Sequence, residues 1–216
     1  MRITVRQPSG RLIRRGTQLI GGLFLYGVGI AFLVRGELGP APWDVLTLGV
    51  MNHVPLTFGV ITVCISGVVL LMWIPLRQKM GIGTIANAIL IGPFADFTFL
   101  WLPEVNLLGW RIAFVLIGTV LIGAATGLYI GSRFGPGPRD GLMTGLHRVT
   151  GVPIWVTRTG IEIAVVATGW LLGGIAGLGT LFFALTIGPF CQFFMRLFDV
   201  PPPPNEVVAE ALGQGD

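Results

Sequence analysis

Charge is what this chain has least of. Only 11% of its 216 residues are charged, against about 25% in soluble domains. It has two cysteines, Cys64 and Cys191, each alone in an apolar run. With no CxxC and no histidine at ligand spacing, they read as small core hydrophobes rather than a disulfide or zinc framework. Serine is nearly absent: Ser9, Ser66 and Ser132 are the whole set, and none sits in a G-x-S-x-G turn. His53 and His147 stand outside any HExxH pattern and suit helix ends, and no P-loop is present. These gaps leave no visible constellation for a hydrolase, a metalloenzyme or an ATP-driven machine. The expectation is a protein that is not an enzyme, with no catalytic residues, no metal and no cofactor.

Hydrophobic residues make up 53% of the chain, and the mean hydropathy is +0.81. They come in blocks long enough to cross a bilayer, which takes ~20 residues of helix. Lipid offers nothing to backbone N–H and C=O groups, so such blocks must be helices or a closed barrel. No period-two alternation marks barrel strands. The fold class expected is therefore an all-α membrane protein embedded in the lipid bilayer. Six spans fall at about 17–35, 56–75, 82–102, 110–131, 153–173 and 178–198. Two shorter segments, 42–53 and 138–149, suit re-entrant or interfacial helices. Whether they span is left open by the sequence. Residues 1–16 form a basic leader carrying Arg2, Arg6, Arg11, Arg14 and Arg15. That clustering reads as a topology signal rather than a nucleic-acid contact, and the apolar run that follows reads as an uncleaved first span. Residues 199–216 form a Pro-rich acidic tail, expected to be disordered.

An internal repeat is the most specific signal. At an offset of 96, Gly39, Pro40, Pro42, Asp44, Leu46 and Gly49 fall on Gly135, Pro136, Pro138, Asp140, Leu142 and Gly145. The same offset lays Gly81, Gly83, Thr84, Ala88 and Ile91-Gly92-Pro93-Phe94 on Gly177, Gly179, Thr180, Ala184 and Ile187-Gly188-Pro189-Phe190. Shared membrane composition scatters Leu and Gly matches; it does not produce two ordered blocks with the same prolines. The repeats are bounded at 17–102 and 110–198. With three full spans each, the second copy is inverted relative to the first. A cytoplasmic N-terminus and C-terminus then leave only Arg35 and Arg111 at the outer ends, as the positive-inside rule prefers.

Each Gly-Pro-x-Pro-x-Asp block reads as a helix start, with proline at the first position and an acidic group near the positive end. Capping alone explains Asp44 and Asp140; the alternative is that two short helices aim their N-termini into a shared cavity. Arg139 replaces Trp43 in the second copy, so a site there is asymmetric and attracts anions. Pro93 and Pro189, each behind a glycine (Gly92, Gly188), are expected to break their helices and to turn toward protein or water. Asp96, and Arg158 with Glu162 four residues on, are ionisable groups at membrane depth and so pathway candidates. The seam Gly123, Gly127, Gly131 reads as close helix packing.

The blocks Gly135-Pro136-Gly137-Pro138-Arg139-Asp140-Gly141, Val152-Pro153-Ile154-Trp155 and Gly177-Leu178-Gly179-Thr180, with their first-half echoes, resemble the YczE/YyaS/YitT family of bacterial integral membrane proteins. The resemblance implies a multi-span protein of the bacterial cytoplasmic (inner) membrane and supplies no activity or site residues. The residues themselves favour a secondary transporter or channel-like permease for a small solute. A scaffold or accessory protein that docks a partner is the alternative. No nucleic-acid partner is expected, and a homo-oligomer is left open.

Overall fold

A computed structural model describes residues 9–198. Eight helices account for most of them: α1 Ser9–Arg35, α2 Pro42–Met51, α3 Phe58–Trp73, α4 Ile82–Phe99, α5 Leu108–Gly131, α6 Pro138–Thr150, α7 Ile154–Leu171 and α8 Leu178–Phe198. No strand occurs among the described residues. Four helices are long and apolar enough to cross a membrane: Leu12–Arg35, Ile82–Phe99, Leu108–Gly131 and Leu178–Phe198. α3 is apolar but has 16 residues, and α7 has 18 and carries Arg158 and Glu162. The proline-rich tail lies outside the described residues, as does the start of the leader.

α1 begins at Ser9, two turns earlier than the hydrophobic pattern predicts. The extra turns carry Arg15 over the C-terminal end of α5. There its Nε donates to the Ser132 carbonyl at 2.7 Å and its Nη2 to the Arg133 carbonyl at 2.9 Å. Free carbonyls at a helix C-terminus carry partial negative charge, so a guanidinium is well placed there even when buried.

α1 and α5 cross antiparallel at the centre. Gly22 of α1 meets the backbone of Ala125 and Tyr129, while Gly118 of α5 meets that of Gly29 and Leu33. α4 packs on α1 where Gly27 faces Phe94, and α8 packs on α5 where Gly123 faces Phe190. The expected glycine seam continues down α8, with Gly127 against Phe194 and Gly131 against Phe198. A side chain at these positions would have to occupy backbone, so small residues set the interhelical distance.

The remaining helices cross over. α2 packs on α7, α6 packs on α3, and α3 also packs on α4. The chain enters each short helix through a glycine with left-handed φ, Gly39 (105°) and Gly135 (119°), which an L side chain would strain. Two residues earlier, Glu37 (51°) and Arg133 (57°) adopt αL as well. Each entry is pinned by one backbone bond: Gly179 N donates to Leu38 O at 2.7 Å, and Gly83 N to Phe134 O at 2.9 Å. Both ends of α2 meet the α7–α8 connection, through Gly39 against Gly177 and through Asn52 Nδ2 donating to Gly173 O at 3.0 Å. Both ends of α6 meet the α3–α4 connection, through Gly135 against Gly81 and through Arg148 donating to the Leu76 and Arg77 carbonyls.

The two proline-glycine pairs behave differently from expectation. α4 and α8 run unbroken through Pro93 and Pro189. Proline removes one backbone bond, and neighbouring bonds suffice to carry the helix on. Both prolines face outward, away from the bundle. Helical geometry explains this: Ala88, Ile91, Gly92 and Ala95 form the inward stripe of α4, and Pro93 is rotated ~100° past its edge. Gly92 therefore packs inside while Pro93 does not.

Candidate functional site

The starts of α2 and α6 approach each other beside the crossing of α1 and α5, and a cavity of about 270 Å³ opens against them. Its charged lining is Arg139 and Asp140 from α6, and Arg158 and Glu162 from α7. Tyr26 of α1 and Tyr129 of α5 form one wall, with ring centroids 6.3 Å apart. A second, smaller cavity of about 40 Å³ shares Tyr26, Tyr129, Arg139 and Asp140 with the first. It extends the other way, to Thr62 and Ser66 of α3 and Asn87 of α4.

The charged groups are unequally satisfied. Asp140 accepts from the Tyr129 hydroxyl at 2.5 Å. Glu162 accepts from Arg158 Nε at 2.9 Å, one helical turn away. Arg139 stacks on the Trp43 ring, with its guanidinium carbon 5.0 Å from the ring centroid, a cation–π contact. Its Nη2 lies 3.9 Å from Asp44 Oδ1, beyond hydrogen-bonding reach, and it forms no hydrogen bond among the described residues. Asp44 is fully buried, and neither carboxylate oxygen has a hydrogen-bond partner among the described residues. Burial pushes its carboxyl up to about 6, with the Arg139 charge opposing that rise.

Five of the six charged residues expected in a pathway are thus gathered in one place: Asp44, Arg139, Asp140, Arg158 and Glu162. Asp96 is not among them. Its Oδ2 accepts from the Thr57 hydroxyl at 2.5 Å and its Oδ1 from Gly59 N at 2.8 Å, so it caps the start of α3. His53 and His147 lie at helix ends with their rings against the Leu172 and Val152 carbonyls. Sequence reasoning passed over Tyr26 and Tyr129, although they are the only two tyrosines in the chain. It also passed over Thr62 and Ser66, which sit 96 residues before Arg158 and Glu162. Among the described residues no cluster of three or more His, Cys, Asp or Glu side chains has metal-binding geometry.

A family model described as "Family of unknown function (DUF6198)" matches residues 13–196. An uncharacterized protein of Haemophilus influenzae is 40% identical over 179 residues, covering 83% of this chain and 82% of its own. The uncharacterized membrane protein YczE of Bacillus subtilis is 32% identical over 184 residues, covering 84% and 86%. YyaS of the same organism is 28% identical over 186 residues, covering 82% and 90%. No solved structure matches the chain. The chain belongs to the DUF6198 family and is related to YczE and YyaS.

Proposed function

We propose that this member of the DUF6198 family is a secondary-type transporter for a small solute, rather than an enzyme, and that it works by alternating access. One observation carries the reading: the two cavities are built from corresponding positions. Gly137, Pro138, Thr62, Ser66, Asn87 and Ile91 line the small one; 96 residues away in each case, Ala41, Pro42, Arg158, Glu162, Phe183 and Ile187 line the large one. One measures about 40 Å³ and the other about 270 Å³, and they meet at Arg139 and Asp140. Two half-pathways built from equivalent positions, one narrow and one wide around a shared centre, suit alternating access.

Several features support inverted repeats with six spans in the inner membrane. α1 and α5, which begin the two copies, run antiparallel. Both ends of α2 meet the α7–α8 connection and both ends of α6 meet the α3–α4 connection, which suits re-entrant helices. With both termini cytoplasmic, the ion pairs Arg35–Glu104 and Arg111–Glu37 fall together at the outer end. Labelling single cysteines at 53, 77 and 104 in whole cells tests the topology. Positions 53 and 104 react with an impermeant reagent, and 77 does not; labelling at 77 overturns it. Reconstitution into liposomes with a broad panel of solutes tests transport, and flux no greater than in empty vesicles counts against it.

A further inference from the structure

We propose that the solute is a single-chain amphiphile with an anionic head, entering sideways from the bilayer. Its head sits against Arg139 and its chain lies between α7 and α8. The inference rests on the transport reading and adds the chemical class of the substrate. α7 packs on α2 and α6 rather than on α8. This leaves an open groove of about 570 Å³ walled by Ile163, Val166 and Trp170 of α7 and by Leu181 and Ala184 of α8. The wall from Thr159 to Trp170 rises ~16 Å, enough length for an alkyl chain to lie along it. An apolar groove facing lipid is unremarkable by itself. Here it borders the charged cavity, since Pro42 and Glu162 line both.

The two chemistries are therefore adjacent. A fully polar solute has no use for an apolar side entrance, and a plain hydrocarbon has no use for guanidinium groups beyond it. The chemistry of the head follows from which hydrogen-bonding groups are already engaged. Asp140 is held by Tyr129 and Glu162 by Arg158. Arg139, four-fifths buried, lines both cavities and spends none of its N–H donors on a hydrogen bond among the described residues. Its guanidinium stacks on Trp43 and lies 3.9 Å from the buried Asp44 carboxylate, and its unspent donors match a phosphate or carboxylate in two-point fashion.

Binding of a fluorescent lysophosphatidic acid to the full chain in alkyl maltoside micelles tests the inference, with inorganic phosphate and an uncharged alkyl glycoside as competitors. Arg139→Gln and Ala184→Trp are each expected to weaken lysophosphatidic acid binding at least tenfold. Phosphate competition is expected to depend on Arg139 alone. Ala167→Trp fills the groove from the opposite wall and repeats the test if the first variant fails to fold. Unchanged affinity in a folded groove-filling variant overturns the inference, as does equal competition by the uncharged glycoside. Transbilayer movement of the same probe in proteoliposomes is read separately. Binding with both dependences but without movement sinks the transport reading and leaves the site standing.

Discussion

The seams between α3 and α4 and between α7 and α8 occupy corresponding positions and are in opposite conditions. In the first, Gly59 and Gly92 bring two backbones into contact, and Asp96 reaches from α4 to cap α3 through Thr57 and Gly59. In the second, the residues 96 positions later are Trp155, Gly188, Pro153 and Gln192. Trp155 is too large for a backbone contact and Pro153 offers no hydroxyl to a partner. Nothing lies within 4 Å of a Cβ added at Gly188. Backbone contact thus closes the first seam, and the second has none at the corresponding glycine.

The sharpest way to break this comparison is to give both glycines a methyl group. At Gly92 the new Cβ meets Gly59 backbone, which cannot yield as a side chain can. Gly92→Ala is expected to cost about 2–3 kcal/mol, as overpacking does. Gly188→Ala meets nothing and gains about 0.5–1 kcal/mol of helix propensity. Thermal unfolding midpoints of the two variants in micelles should therefore move in opposite directions. A shift of the same sign in both would show that the seams are alike after all.

A second contrast separates the two short-helix starts. Asp140 holds a tyrosine hydroxyl, while Asp44 is buried with both oxygens unbonded among the described residues. The Asp44 carboxyl has an ordinary value of 3.8, raised to about 6 by burial. A raised acid favours its protonated folded form, so its stabilising contribution is complete below pH 3.8 and is lost as pH rises through 6. Asp44→Asn is expected to flatten that loss and leave the protein up to ~2–3 kcal/mol more stable at pH 7. Unfolding midpoints between pH 4 and pH 7 check it; a variant that tracks the wild type would show that Asp44 keeps its ordinary affinity for protons.

Much of this was readable before the structure. Seven of the eight helices lie within about three residues of where hydrophobic length and the two Gly-Pro-x-Pro-x-Asp starts put them, because both are local properties. α1 begins eight residues early, and four of the six expected spans are long and apolar enough to cross a membrane. The crossing-over was not readable. That α2 leans on α7 and α6 on α3 depends on pairings such as Gly169 against Val45 and Leu46, and Trp73 against Gly141, which no local pattern encodes. Trp73 Nε1 donates to the Pro138 carbonyl at 3.0 Å and so fixes one of these contacts. Pro93 was misread for a related reason: the proline signals a kink, but the inward stripe set by Ala88, Ile91 and Ala95 decides which way it faces. Asp96 drew attention as a charge at depth, and only the arrival of α3 at its carboxylate makes it a cap.

That cap gives a third, smaller test. Asp96→Ala removes two acceptors from the start of α3 and is expected to cost about 1–2 kcal/mol, in line with lost caps. Gln192→Ala, at the corresponding place on α8, should stay within about 0.5 kcal/mol. If Asp96 is what keeps the first seam shut, a cysteine placed at Thr62 becomes more reactive to a small thiol reagent in the alanine variant. Unchanged reactivity would mean that the Gly59–Gly92 contact closes the seam alone.

The smallest effect concerns the lining itself, where Arg158 and Glu162 stand in place of Thr62 and Ser66. The pair is a single-turn contact, with Arg158 40% and Glu162 19% exposed. Pairs of this kind contribute about 0.3–0.5 kcal/mol to a helix. A double-mutant cycle with Arg158→Gln and Glu162→Gln is therefore expected to return a coupling of that size in stability. Its effect on solute flux should be much larger, since both side chains line the larger cavity. A flux that follows stability, variant by variant, would reduce the pair to helix packing and make the two cavities differ in size alone.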